Sequence, residues 1–167
     1  MLEVRDLSVS YGKHRALEGA ALRVGRGEIV VILGANGAGK TTLLKAICGI
    51  SEGKVAGTVV MEGQDLIGQP PERIVEAGIA LVPEERRSQG LFTILTIRGN
   101  VPVMNMAKIS RNGFINSSDE RTVTIEYIDK LNIATDSTEK EASKLSGGNQ
   151  QKVVLSKCLF ADADLLM

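Results

Sequence analysis

Lys40 and Thr41 close the run Gly34-Ala35-Asn36-Gly37-Ala38-Gly39-Lys40-Thr41, where fixed glycines and a Lys-Thr pair stand at the spacing of a phosphate cradle. Glycine is needed at these points because such a loop curls with its N–H groups pointing inward and leaves no room for Cβ atoms beside phosphates. A helix starting near Lys40 offers unpaired N–H groups and the positive end of its dipole to a β-phosphate. Lys40 then reaches the β- and γ-phosphates of ATP, Thr41 offers its hydroxyl to Mg²⁺, and Thr42 completes the expected nucleotide contacts. The alternative is a glycine-rich turn matching by chance. Against it stand an apolar run, Glu28–Leu33, that reads as a buried strand entering the loop, and Leu43, Leu44 and Ile47 at helical spacing behind it.

A second motif lies about a hundred residues later, at Leu145-Ser146-Gly147-Gly148-Asn149-Gln150-Gln151. Ser146 brings a hydroxyl, and Gly147 and Gly148 let backbone N–H groups approach a phosphate at a helix N-terminus. Alone, the run reads equally well as an N-cap with flexible glycines. Beside the first motif it resembles the signature sequence of ATP-binding cassette (ABC) proteins. The resemblance implies that Ser146, Gly147, Gly148 and Gln150 close over nucleotide held by the first motif of a second ABC ATPase domain. Two weaker features resemble the same family. Tyr11, in Ser10-Tyr11-Gly12, stands where ABC proteins place an aromatic that stacks on adenine; as a bare strand-end Tyr it reads equally as a core residue. Val82-Pro83-Glu84 resembles the Q-loop, with Glu84 in place of the Gln that helps hold Mg²⁺ and faces the membrane subunit.

Within the family the resemblance is divided. Residues 1 to about 84, with Glu18-Gly19 and Pro70-Pro71-Glu72-Arg73-Ile74, are most similar to ATPases of branched-chain amino-acid importers. Residues from about 79 to 160, with Arg86-Arg87-Ser88-Gln89-Gly90-Leu91-Phe92 and the signature run, are more similar to the second cassette of sugar importers. The family pattern continues into a Walker B strand ending in an Asp and a Glu, and later a His. On that pattern the sequence is expected to stop short of those carboxylates, so no catalytic residue is assigned. Asp162 and Asp164 precede the apolar Leu165-Leu166-Met167 and sit at the wrong end of such a strand; His14, the single histidine, reads as a surface turn residue.

The elements that must position these motifs read as an α/β chain of P-loop NTPase type. The resemblance implies an ABC-type core with an N-terminal antiparallel β subdomain and a helical signature subdomain, its C-terminal strands missing. One incomplete domain is expected: β subdomain and P-loop core over 1–87, helical subdomain over 88–160, and the start of the Walker B strand over 161–167. Leu2, Val4, Leu7 and Val9 alternate as in a half-exposed strand interrupted at Asp6, with a turn at Tyr11-Gly12-Lys13. Strands are expected at Gly57–Met61 and Ile79–Val82, and a helix at Pro71–Ala77 with Pro in its first turn. Ser117-x-x-Glu120 forms a capping box before a helix whose Val123, Tyr127, Ile128 and Leu131 share a face, and Val154, Leu155, Cys158 and Leu159 stripe a last helix.

Composition bounds the function. Twenty Lys and Arg balance twenty Asp and Glu, so no global field favours nucleic acid or an anionic membrane. No apolar run approaches the ~20 residues of a membrane span, and the start of the sequence shows no basic leader. A cytoplasmic protein, held to the inner face of the membrane through permease subunits, is expected. Two cysteines, Cys48 and Cys158, lack metal-ligand spacing and read as buried thiols. The leading reading is the ATP-binding subunit of an importer, with sugar the favoured cargo. The alternatives are a branched-chain amino-acid importer ATPase, a cytosolic ABC ATPase without a permease, and a nucleotide-binding fragment without turnover.

Overall fold

The computed structural model describes residues 1–167, which divide into two compact units, Met1–Ile79 and Ala80–Met167. The segment after Val82 packs onto the last helix: a Cβ at Gly90 would sit 2.9 Å from Val154 Cγ2.

In the first unit, β1 (Leu2–Tyr11) and β2 (His14–Val24) form a long hairpin, β3 (Lys54–Met61) pairs antiparallel on the other side of β1, and β4 (Gln64–Asp65) closes the order β2-β1-β3-β4. The interruption at Asp6 is a β-bulge. Asp6 has φ 51°, and the phase of buried residues shifts there from Leu2 and Val4 to Leu7 and Val9, all at most 1% exposed. Gly57 faces the bulge at φ +119°, and a Cβ would lie 2.7 Å from Asp6 O. Helix α1 (Lys40–Ile47) packs on this sheet through Leu43, Ala46 and Ile47, and α2 (Pro71–Glu76) starts with Pro at its first position, as expected.

The run Glu28–Leu33 departs from the sequence reading. It forms no strand, and Ile29, Val31 and Leu33 are 91%, 71% and 86% exposed. Its apolar side chains suit a buried strand, yet a strand is held by ladder bonds to a neighbour, and the sheet of this unit is built from other segments.

The chain crosses between the units in β5 (Ile79–Ala80). In the second unit, α3 (Ile97–Asn100), a short hairpin of β6 (Ser110–Arg111) and β7 (Phe114–Ile115), α4 (Ser117–Lys130) and α5 (Gly147–Phe160) surround a core containing Ile97, Val101, Tyr127, Val153 and Phe160. Tyr127 and Phe160 meet edge to face at 6.2 Å. The α4 cap is one residue earlier than the capping-box pattern indicates: Asn116 Oδ1 accepts from the N–H groups of Ser118 and Asp119, while Glu120 pairs with Arg98. Asn100, fully buried, fixes the loop before α3 by bonding Phe92 N–H and O at 2.9 and 3.0 Å and Thr96 O at 2.9 Å. At the end, β8 (Leu165–Leu166) runs beside β5; Met167 N–H donates to Ala80 O and Met167 O accepts from Val82 N–H, a parallel ladder pattern. No helix is long and apolar enough to cross a membrane.

Candidate functional site

The loop Gly34–Gly39 and the head of α1 form a cationic, N–H-rich cradle. Gly37 and Gly39 have φ values of 82° and 87°, the left-handed region that favours glycine. Gly39 is also sterically closed, since a Cβ would lie 3.0 Å from Ala16 O and 3.3 Å from Leu17 Cδ1 on β2. The Lys40 ammonium folds back over the loop and donates to Gly34 O at 2.8 Å and Ala35 O at 2.9 Å. The helix behind it is anchored by Leu43 N–H to Gly39 O at 2.8 Å. No side chain caps this terminus, and no acidic residue stands in the first turn. Asn36 and Ala38 lie on the exposed outer curve, Thr41 is exposed and Thr42 half-buried. The donor set fits a polyphosphate: a lysine, the N-terminus of a helix and two left-handed glycines, with no carboxylate in the first turn to oppose an anion.

Tyr11 ends β1 opposite His14, is 39% exposed, and its hydroxyl stands 3.5 Å from Ser51 Oγ. Ala16, which touches the Gly39 position, lies two residues beyond His14 on β2, about 7 Å at the rise of an extended strand. The aromatic therefore sits at the end of the hairpin nearest the cradle, in the first unit. His14 is exposed at the same turn, as the sequence indicates. Beside Ser51 a cavity of about 440 Å³, lined by Ala46, Gly49, Val55, Ile67 and Gln69 among others, carries no ionisable group.

In the second unit, the signature run starts α5. Ser146 is the N-cap with an extended backbone, and its hydroxyl accepts from Asn149 Nδ2 at 3.0 Å instead of capping a backbone N–H. Asn149 Oδ1 in turn accepts from Ala134 N–H at 2.9 Å. Ser146 and Gly148 are exposed, and Gly147 is half-buried under Arg86. Gln150, expected from the resemblance to touch nucleotide, is fully buried. Its Nε2 donates to Ala142 O at 3.0 Å, and its Oε1 accepts from Arg86 Nε and Arg87 Nε, both at 3.3 Å. A glutamine at this point of a helix can bury only if both ends of its amide find partners, and here it organises arginines rather than facing solvent. Sequence reading missed Arg86 and Arg87 as members of this group because they lie more than sixty residues from Gln150.

Seven residues along α5, buried Lys157 donates to Gly90 O at 2.5 Å and lies 5.3 Å from the Phe92 ring. Burial pushes its pKa below the usual lysine value. Its neighbour Cys158 is buried as well, and burial raises its thiol pKa. Glu84 is exposed in the loop that leads to Arg86. Asp162 pairs with Lys108, and no group of three or more His, Cys, Asp or Glu is gathered for a metal.

The sequence profile of the family described as ABC transporter matches residues 17–167. The ribose import ATP-binding protein RbsA of Pseudomonas putida is 38% identical over 157 residues, 94% of this chain and 30% of that protein. The L-arabinose transport ATP-binding protein AraG of Geobacillus stearothermophilus is 37% identical over 171 residues, 100% of this chain and 33% of that protein. The high-affinity branched-chain amino acid transport ATP-binding protein BraG of Pseudomonas aeruginosa is 35% identical over 168 residues, covering 100% of this chain and 67% of that protein. The chain thus spans about a third of the length of the sugar-import relatives. Among solved structures, a dimeric ATP-binding cassette in a post-hydrolysis state bound to ADP and Pi superposes with TM-score 0.80 at 21% identity, covering 99% of this chain and 72% of the other. An ATP-binding subunit of an ABC transporter superposes with TM-score 0.75 at 26% identity over 99% of this chain and 64% of the other.

Proposed function

The chain belongs to the ABC transporter family, and on that premise we propose that it is the ATP-binding part of an importer that takes up a small solute, with a sugar as cargo. The observation that carries the reading is the Lys40 ammonium held by Gly34 O and Ala35 O at the N-terminus of α1. Carbonyls satisfy the lysine in place of phosphate oxygens, so an incoming polyphosphate exchanges one set of acceptors for a charged one, which bonds an ammonium more strongly.

In this reading Gly34, Gly37, Gly39 and Lys40 hold the β- and γ-phosphates, with Asn36 and Ala38 shaping the rim and Thr42 continuing the contact into the helix. Tyr11 offers a ring to adenine. Thr41 would supply a hydroxyl to Mg²⁺, and Glu84 is a further metal candidate. Bound Mg²⁺ supplies charge neutralisation for phosphoryl transfer, and the chain's own loop supplies orientation. Ser146, Gly147 and Gly148 belong to a face that meets the nucleotide of a second ABC ATPase domain, and membrane permease subunits hold the assembly at the cytoplasmic face of the membrane.

Sugar is favoured over a branched-chain amino acid by the Arg86–Phe92 run and the residues after Gln150, and by ribose and arabinose import relatives that align with nearly the whole chain. The similarity to BraG keeps the amino-acid importer as the second reading. Deleting the gene in its source strain and measuring uptake of labelled ribose, arabinose, xylose and leucine separates them. Loss of pentose uptake with leucine uptake intact supports the sugar reading; loss of leucine uptake alone overturns it. Co-purification of permease subunits with the tagged protein is expected, and its absence would favour a cytosolic ABC ATPase.

A further inference from the structure

The cavity of about 440 Å³ in the first unit lies between the end of α1, the start of β3 and the turn after β4, and no ionisable side chain lines it. Buried Ala46 forms its floor, and exposed Gly68, Gln69 and Pro70 form its mouth. Two of its glycines are packed from behind. A Cβ at Gly49 would lie 2.7 Å from Ile74 Cδ1 and 2.9 Å from Gln69 O, and one at Gly53 would lie 2.9 Å from Ser10 O and 3.2 Å from Tyr11 Cε1. Close-packed backbone therefore frames the space. Its polar groups are few and neutral. The Ser51 hydroxyl accepts from Gly53 N–H at 3.3 Å and stands 3.5 Å from the Tyr11 hydroxyl, a long contact that leaves its proton available. The side-chain amide of Gln69 is bonded by no group of the chain. Val55, Ile67 and Pro70 add apolar surface. A charged ligand would enter without a counter-charge, and a purely apolar one would take water from Ser51 and the glycine backbone without replacing its hydrogen bonds. A molecule with both hydroxyls and a C–H face meets both demands.

We propose that this cavity is a second ligand site, separate from the phosphate cradle, and that it takes a small neutral polyhydroxylated molecule of the monosaccharide class. Ser51 and Gln69 supply the hydrogen bonds to its hydroxyls, and Val55 and Ile67 meet the C–H face of its ring. The site stands without the nucleotide reading; its consequence rests on that reading. Ser51 and Gly53 are the residues that Tyr11 touches, so an occupant bears on the ring offered to adenine. A ligand of about ten non-hydrogen atoms held by neutral groups binds at roughly the millimolar level.

Backbone amide NMR of the 167-residue chain tests this, with D-ribose as the probe in one arm and leucine, a zwitterion, in the other. Ribose is expected to shift the Gly49, Gly53 and Gly68 amides saturably and to leave Gly147 and Gly148 of the second unit unmoved. Leucine is expected to move none of them. Ser51→Ala and Gln69→Ala each remove one neutral hydrogen bond and are expected to weaken ribose binding about three- to tenfold. Val55→Phe keeps a strand-forming residue, fills the space and is expected to abolish the response. Shifts that rise linearly and equally in both units, leucine shifts matching those of ribose, or a wild-type response from either alanine variant with its spectrum still folded would overturn the proposal. ATP titrated separately reports the cradle at the Gly37 and Gly39 amides, so a silent cradle indicts the functional reading and leaves the ribose result to stand or fall alone.

Discussion

The ammonium of Lys40 donates to the carbonyl of Gly34 at 2.8 Å, closing the loop on its own backbone. Gly39, at the other end of the loop, leaves little room for a Cβ, which would lie 3.0 Å from Ala16 O on β2. The loop is thus shaped by the hairpin behind it as much as by its own glycines, and the geometry of the proposed phosphate cradle depends on the β1–β2 pair.

Gly39→Ala combines a left-handed φ with a Cβ 3.0 Å from Ala16 O. It is expected to destabilise the first unit by about 1–3 kcal/mol and to weaken ATP binding along with it. Urea unfolding alongside nucleotide titration checks this; an unchanged midpoint would show that the loop relaxes without cost.

Ile29, Val31 and Leu33 form an apolar segment open to solvent. The 167-residue chain is therefore expected to bind a hydrophobic dye and to scatter light increasingly with concentration. Val31→Lys should reduce both while changing stability by no more than about 0.5 kcal/mol, the usual range for an exposed site. A monodisperse wild type that leaves the dye dark would contradict the exposure.

How much of this was legible in sequence differs from residue to residue. The cradle was, because its chemistry is local: glycines, Lys40 and a following helix lie within a dozen residues. Pro71 marked the start of α2 for the same reason. The bulge at Asp6 was visible as a break in alternation, though not as the reason Gly57 is glycine, which depends on a strand fifty residues away. Glu28–Leu33 carried every sign of a buried strand, but composition reports propensity and not the presence of a pairing neighbour. The capping box misplaced the start of α4 by one residue because Asn116, just before it, is itself a strong cap. Gln150 was given a nucleotide contact by motif position, whereas burial and the distant Arg86 turn its amide inward.

Asn100 holds the Phe92–Thr96 loop with three close bonds from a fully buried amide. Asn100→Ala leaves Phe92 N–H and O without that partner and is expected to cost about 1–3 kcal/mol. Faster hydrogen exchange at Phe92 relative to Val153 would accompany it. Uniform loss across the second unit with Phe92 no faster than the core would count against the clamp.

Cys158 has its thiol pKa raised by burial, with the nearby Lys157 charge acting the other way. The folded chain keeps the proton after an unfolded chain, with an ordinary value of about 8.5, has lost it. The thiol's contribution to stability is therefore complete below that value and is lost as pH rises towards the folded pKa. Lys157, whose pKa is lowered by burial, favours folding more as pH rises and offsets this in the raw melting curve. The difference in Tm between wild type and Cys158→Ala isolates the thiol: it should be constant near neutral pH and shrink above about pH 8.5. A difference that grows with pH would reverse the assignment.

Calorimetric titration with ATP and Mg²⁺ of wild type against Lys40→Ala tests the central claim most directly. Removing one charge-assisted contact to phosphate oxygens costs roughly 1.5–3 kcal/mol, so the variant is expected to bind about ten- to a hundredfold more weakly. Saturable binding by wild type with that loss in the variant is the predicted result. Equal affinities for the two proteins would contradict the phosphate cradle and the function built on it.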